Sequence, residues 1–356
     1  MNLFCEYPSN SVAGTCNNSM LRCDASVVRT GRVFYRVREA GAFDYRFFFC
    51  NAVDSTFADG ADSRANMLGD EMEIIAALAG DGGTDPEHLD DGALCPLTFD
   101  GSLSRTVQPG ESYWSDDVPL DIPEGHYLVF QWTVRGKNMP YTPDKIIPCY
   151  MQQSGEWVPS RDFPQPCLVG CRRPVRLRVA FLGDSITQGL GTRDNYYEYW
   201  VAQIARRLPS DIAVWDIGLG FGRAQDAALN GVWMQKAQTA DFVSVCFGVN
   251  DIGQGRTAAQ IQADLLRIVQ LLKQSGVRVG IFTIPPFDYP PEREKIWRSC
   301  CDYIRTELAP LCEYCIDTGK YWGQPAPNDH MARFGGHPSG EGCALLANAY
   351  VQQVKL

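Results

Sequence analysis

Ser185 stands in the run GDSITQG, directly behind the apolar stretch Arg176–Leu182 (RLRVAFL). A serine hydroxyl is a weak nucleophile, so chemistry here requires exposure, a tight turn and a base within hydrogen-bond reach. Gly183 and Gly189 suit such a turn, although Ser185 or Asp184 could equally cap the helix that follows. A second run, FGVND, ends the stretch that begins at Phe242 and places Asn250 on a loop. Its side-chain amide can donate to the oxygen that becomes negative when an ester carbonyl is attacked. A simple turn would also account for Gly248 and Asn250. A third run, DIGLGFGRA at Asp216–Ala224, packs Gly218, Gly220 and Gly222 into five residues. Glycines at this density let backbone N–H groups approach an anionic atom, but the spacing does not give GxGxxG and no Walker lysine follows.

A base for Ser185 must come from four histidines, His88, His126, His330 and His337. His337 lies in GGHPSGEG just before the last helical pattern, on a loop able to reach back over a sheet edge. His88 falls in a polar insertion and His126 in a turn, so position favours His337, against the general tendency of single histidines to be structural.

These residues need a frame. From Pro174 onward apolar strands alternate with amphipathic helices. Strands are expected at Arg176–Leu182, Ala213–Ile217, Phe242–Phe247 and Val277–Ile284, and helices at Tyr196–Leu208, Ala224–Gln235, Ala258–Gln274, Glu292–Leu308 and Glu341–Val354. That rhythm specifies a parallel sheet covered by helices on both faces, with its active site at the carboxyl ends of the strands. Before Cys171 the pattern is different. Short alternating runs such as Val33–Val37 and Tyr127–Val134, bounded by DGADS, GDGG and DIPEG, read as antiparallel strands of a β-sandwich of jelly-roll type. Within the polar stretch Ala58–Asp91, read as a mobile loop, only Glu71–Leu78 (EMEIIAAL) has a helical pattern. Two domains follow, residues 1–173 and 174–356, joined near CRRP at Cys171–Pro174.

Composition narrows the classes further. At 356 residues the chain can bury two cores, and its formal net charge of −10 makes nucleic acid and anionic membrane surfaces poor partners. No run of about 18 apolar residues occurs and MNLFCEYPSNSVAGTC lacks a signal-peptide pattern, so a cytoplasmic location is expected. The 14 cysteines, with Cys300 and Cys301 adjacent, then read as reduced thiols. Cys312 and Cys315 form a CxxC, for which a buried thiol pair is favoured over zinc or redox chemistry, and Cys167 and Cys171 are read as neighbours by chance.

GDSITQG, FGVND and GGHPSGEG, in that order, resemble the nucleophile, G-x-N-D and final histidine blocks of the SGNH/GDSL hydrolases. The resemblance spans Arg176 to the C-terminus and implies a flavodoxin-like three-layer α/β domain. Ser185 would be the nucleophile, His337 the general base and then acid, and Asn250 an oxyanion donor with Gly220 or Gly222. No metal or organic cofactor is implied. Asp184 and Arg223 become candidate substrate contacts. Where the family usually carries Asp three residues before the histidine, this chain has Phe334. A serine–histidine dyad is therefore favoured, with Asp329 as the alternative orienting acid.

The first half, across LTFDGSLSRTVQPGESYWSDDVPLDIPEG, resembles the β-sandwich that precedes the hydrolase domain in some carbohydrate esterases of this group. The expected activity is hydrolysis of short acetyl O-esters on oligosaccharides, with an acid limb near the histidine pKa of roughly 6.5. Trp114 and Trp322 are candidate stacking platforms, with a core role as the stronger reading. Two alternatives stand beside it: a carbohydrate-binding protein whose hydrolase domain has decayed, and a GDSL lipase or general acylhydrolase.

Overall fold

The computed structural model describes residues 2–13, 16–55, 65–87, 89, 94–142, 147–160, 162–325 and 330–356. The chain forms two compact units that divide between Val175 and Arg176, with Ala213–Trp215 grouped with the first. All fourteen cysteines are free thiols.

Among the described residues, the first unit is β-structure apart from one helical turn, Leu3–Glu6. In its larger sheet the strands Glu156–Pro159, Cys149–Gln153, Arg29–Arg36, Tyr127–Gly136, Met72–Asp81 and Leu94–Pro96 lie side by side, and Arg105–Val107 also pairs with Met72–Asp81. A second, four-stranded sheet is built round Gly41–Cys50, which pairs with Leu168–Cys171, Ser112–Trp114 and Val118–Ile122. Phe47 and Phe49 alternate inward from that strand and meet Phe130 and Trp132 of the larger sheet, with ring centroids 5.0, 5.1 and 5.6 Å apart. The period-2 alternation of aromatic residues thus becomes one core shared by two sheets.

The run EMEIIAAL is a strand rather than a helix. Met72–Asp81 pairs antiparallel with Tyr127–Gly136, and the register shifts between Ile74 and Ala76. The extra residue turns the buried set into Met72, Ile74, Ala77 and Ala79, a spacing that imitates helical periodicity. Within the rest of the supposed loop, residues 58–64, 88, 90 and 91 lie outside the described residues.

The second unit holds a five-stranded sheet. Its strands are β1 (Leu177–Gly183), β2 (Ile212–Asp216), β3 (Phe242–Cys246), β4 (Arg278–Phe282) and β5 (Tyr314–Ile316), in the spatial order 2-1-3-4-5. The β1–β3, β3–β4 and β4–β5 pairs are parallel. This is the flavodoxin-like order, whose direction of winding reverses between β1 and β3, and ligands bind outside the carboxyl ends of the strands at such a switch point. Every residue of β2 and β3 is buried, as expected for strands covered on both faces.

Helices join these strands: α1 (Ser185–Gln188), α2 (Trp200–Ala205), α3 (Ala224–Ala228), α4 (Val232–Ala237), α5 (Val249–Gly253), α6 (Ala258–Gln274), α7 (Pro291–Tyr303), α8 (Gly319–Trp322) and α9 (Gly340–Gln353). The expected helix from Tyr196 begins only at Trp200, because Asn195 and Tyr197 adopt positive φ of 66° and 53°. The expected helix Ala224–Gln235 is broken where Asn230, at φ 58°, precedes Gly231. By contrast α6 has the expected bounds, since Thr257 and Gln260 form a capping box at its start and its buried residues Ile261, Leu265, Ile268 and Leu272 line one face.

Trp200 ties this frame to the first helical turn after β1. It is fully buried, its ring meets Phe181 at 5.2 Å and Phe282 at 5.0 Å, and its Nε1 donates to the Ile186 carbonyl at 3.1 Å. Replacing it by alanine removes the packing and the bond together. Trp200→Ala is expected to lower unfolding stability by about 3–5 kcal/mol, read from urea denaturation. A loss below about 1 kcal/mol would contradict this account of the core.

Candidate active site

Ser185 is the first residue of α1, immediately beyond β1. Asp184 is the N-cap and accepts from the Ile186 N–H at 2.9 Å, while Gly189, at φ 115°, closes the turn. Gly183 lies opposite Cys246 of β3, and a side chain there would overlap the Thr187 hydroxyl and the Cys246 carbonyl. The nucleophile turn is therefore pressed tightly against the end of β3.

The end of β2 is fastened to the same place. The Ile217 N–H donates to the Phe181 carbonyl and the Leu219 N–H to the Gly183 carbonyl, each at 3.0 Å. Asn250 begins from the neighbouring strand, on α5 after β3, and its Nδ2 donates to the Gly222 carbonyl at 2.8 Å. An amide nitrogen carries two N–H donors, so one remains beyond this bond.

His337 reaches this edge from the loop before α9. Its Nε2 is 2.8 Å from the Ser185 Oγ. The approach depends on Gly191, which has φ of 91° and where a Cβ would lie 2.6 Å from the His337 Cβ and 2.7 Å from its carbonyl oxygen. Phe287 meets the imidazole edge-on, with centroids 6.0 Å apart and planes at 79°. Among the described residues the imidazole has no hydrogen bond besides that with Ser185, so packing rather than a carboxylate holds the ring. Burial holds the His337 pKa below its ordinary value of 6.5, which keeps the ring neutral and able to accept a proton.

Three buried carboxyl groups stand at the ends of β1, β2 and β3 or in the turns after them. Burial pushes the Asp184 pKa up to about 7, and the charge of Asp251 adds to the shift. Asp216 is pushed well above the usual range by burial while it accepts from the Gly218 N–H at 2.8 Å. Asp251, also fully buried, is raised to about 6 by burial in spite of two backbone N–H donors and Arg256.

Several expectations need correcting. Asp184 is completely buried and caps α1, so it cannot meet substrate. Arg223 is buried, with its guanidinium bound to Asp226 and to the Gln254 Oε1 at 2.8 Å. The Gly222 N–H donates to the Leu219 carbonyl at 2.9 Å and is already used, whereas Gly220 sits in the same turn. Trp322 is buried and bonds the Gly342 carbonyl at 2.7 Å, and Trp114 packs between Phe4 and Phe48, so neither is an open platform. Phe334 lies against Gly342 at the start of α9, and Asp329 lies outside the described residues. Gly191, Phe287 and Asp251 were not anticipated. Of these, only the aspartate of FGVND stands in a run that the sequence singles out.

His126 pairs with Asp81 at 2.9 Å in the first unit, and His330 is exposed beside Asp288 at 3.6 Å. Among the described residues no cluster of three or more His, Cys, Asp or Glu side chains could hold a metal ion, and no helix is long and apolar enough to cross a membrane.

A model of the GDSL-like Lipase/Acylhydrolase family matches residues 181–345. No curated protein matches the chain. Among solved structures, a family two carbohydrate esterase from Clostridium thermocellum in complex with cellohexaose is similar at 12% identity and a TM-score of 0.43, over 98% of this chain and 97% of that one. A member of the lipolytic protein G-D-S-L family from Veillonella parvula is similar at 20% identity and a TM-score of 0.42, over 49% of this chain and 97% of that one. A GDSL-like lipase from Bacteroides thetaiotaomicron is similar at 16% identity and a TM-score of 0.40, over 49% of this chain and 86% of that one.

The buried acids make stability depend on pH. An unfolded aspartate ionises near about 3.9. With its folded pKa raised to about 7, Asp184 keeps its proton longer in the native state, and stability falls as pH rises between those values. Asp184→Asn keeps an acceptor for the Ile186 N–H but cannot ionise. Urea unfolding at pH 5 and pH 8 is expected to show a smaller loss in this variant than in the wild type. Equal losses would contradict the burial argument.

Proposed function

We propose that this chain, whose residues 181–345 match a model of the GDSL-like Lipase/Acylhydrolase family, is a serine esterase that hydrolyses short acetyl O-esters of carbohydrates through an acyl-enzyme on Ser185. The observation that carries the reading is the 2.8 Å hydrogen bond between the Ser185 Oγ and the His337 Nε2, at the carboxyl ends of the strands where the winding reverses.

In this mechanism the neutral His337 Nε2 takes the Ser185 proton as the oxygen attacks the ester carbonyl. The developing oxyanion is held by the second N–H of Asn250 and by the Ser185 N–H, which as the first helical amide has no intrahelical acceptor. The imidazolium returns its proton to the departing sugar hydroxyl. Water, deprotonated by the same nitrogen, then attacks the acyl carbonyl, and Ser185 leaves with that proton as the acid is released. The pair operates as a dyad, with Gly191 and Phe287 keeping the ring in place. No metal or organic cofactor enters any step.

The sugar assignment is supported by two aromatic residues. Tyr196, 60% exposed with the Arg193 guanidinium 4.1 Å from its ring centroid, and Phe221, 45% exposed, stand on the segments that follow β1 and β2, and flat aromatic faces of this kind suit the apolar side of a pyranose. Phe221 is held at φ 62°, a conformation rare for a bulky side chain and commonest at functional sites. We take the first unit to be a jelly-roll-like sandwich accessory to this chemistry. The second reading, a sugar-binding protein with a decayed hydrolase domain, rests on the histidine Nδ1, which has no carboxylate partner among the described residues.

A fluorophosphonate probe separates the two, since it reacts only with an activated serine. The wild type is expected to be labelled and Ser185→Ala not. An unlabelled wild type would overturn the esterase reading. The acid limb of kcat/KM is expected to have a midpoint below 6.5, because burial lowers the His337 pKa, and a midpoint above 6.5 would remove His337 as the base. Acetyl nitrophenyl esters are expected to turn over at least about tenfold faster than long-chain ones, and equal rates would contradict the small-acyl assignment.

A further inference from the structure

The loop after β2 and the turn after β3 are clasped together, and most of the clasp comes from one residue that the mechanism above does not use. Asp251 follows Asn250. Its Oδ2 accepts from the Ala224 N–H at 3.0 Å and its Oδ1 from the Gln225 N–H at 3.3 Å. These are the first two amides of α3, a helix whose own N-cap, Arg223, makes no capping bond. The helix is therefore capped from across the site. Asn250 holds the other side of the same bend through the Gly222 carbonyl, at 2.8 Å. Two neighbouring side chains thus supply one donor and two acceptors to Gly222–Gln225.

Further polar contacts brace the same bend. Arg223 binds Asp226 and the Gln254 Oε1, and Arg256 donates to the Gln225 Oε1 at 2.6 Å while pairing with Asp264. Arg256 approaches Asp251 only at 3.6 Å, a looser pairing than a direct charge-assisted hydrogen bond. Asp251 is fully buried, and a buried carboxylate is costly unless its surroundings satisfy it. Here the satisfaction comes chiefly from the first two backbone amides of α3, directly after the loop that carries Gly220. An oxyanion site stabilises charge only where its donors are fixed before the reaction.

We propose that Asp251 is a positioning residue for acyl transfer: by capping α3 from the turn after β3, it holds the Gly222 carbonyl where it accepts from Asn250, so that the second N–H of Asn250 stays aimed at the oxyanion. This rests on the esterase reading given above. Asp251 touches no reacting atom, and acts through Asn250 and the loop. The groups that face it are Asp226 at α3, Arg256 after α5, Asp184 at the nucleophile turn, Tyr289 after β4 and Cys300 on α7. Protonation of Asp251 would remove an acceptor, so both it and His337 must be deprotonated for full activity.

The test uses the full-length chain, with acetyl nitrophenyl ester turnover and the rate of fluorophosphonate labelling as readouts. Asp251→Ala is expected to lower kcat and the labelling rate together by about 10²–10³-fold, the range seen for loss of an oxyanion donor, with KM changed less than about threefold. Asp251→Asn keeps one acceptor and is expected to fall between, which keeps the test usable if the alanine variant does not fold. On the acid side the plot of log kcat against pH is expected to approach a slope of two in the wild type and one in Asp251→Asn. A folded variant with kcat within about threefold of the wild type, or one whose Tm drops while kcat and acid slope are unchanged, overturns the proposal and leaves the esterase reading intact. A wild type without Ser185-dependent turnover or labelling overturns both.

Discussion

The hydrogen bond between the Ser185 Oγ and the His337 Nε2 joins residues 152 positions apart, and the architecture of the second unit can be understood from what that bond requires. Ser185 must emerge at the end of a strand, so β1 stops at Gly183 and a four-residue helix follows at once. His337 must then come within 2.8 Å of it from the far end of the chain, which Gly191 permits by leaving room for its backbone. No carboxylate is needed to make the contact. The aromatic edge of Phe287 and the backbone at Gly191 hold the ring in a buried place that favours its neutral form.

The same edge concentrates buried acids. Asp184, Asp216 and Asp251 all cap or brace the turns that follow β1, β2 and β3, accepting from backbone amides at Ile186, Gly218 and Ala224. Amides in the connections after β1 and β2 thus have carboxyl groups as acceptors instead of water. A turn held this way resists rearrangement, which suits a site whose donors must be in place before charge appears. The price is a native state that weakens as these acids are forced to ionise.

Much of this was legible in the chain, and what was not has identifiable causes. Thr257 and Gln260 mark the start of α6 because a capping box is a local device, read from neighbours three residues apart. EMEIIAAL misleads for an equally local reason, a bulge between Ile74 and Ala76 that replaces period two by a helix-like spacing. Left-handed backbone at Asn195, Tyr197 and Asn230 cuts helices that propensity alone would extend. At the site, Ser185, Asn250 and His337 stand in recognisable runs, and the structure brings Ser185 and His337 into contact. Asp251, Phe287 and Gly191 act through partners distant in sequence. Nothing in their immediate surroundings announces Ala224, His337 or the close backbone approach. The intramolecular partners of Arg223 and Asp184 were not legible, because burial is a property of the assembled unit.

The central claim is a covalent one, and the direct measurement is peptide mapping of the chain after rapid acid quench during turnover of an acetyl nitrophenyl ester. The account predicts an acetyl group on the peptide containing Ser185, appearing before steady state and absent from His337→Ala over the same interval. An acetyl group on another residue, or turnover with no acetylated peptide at any quench time, would contradict it.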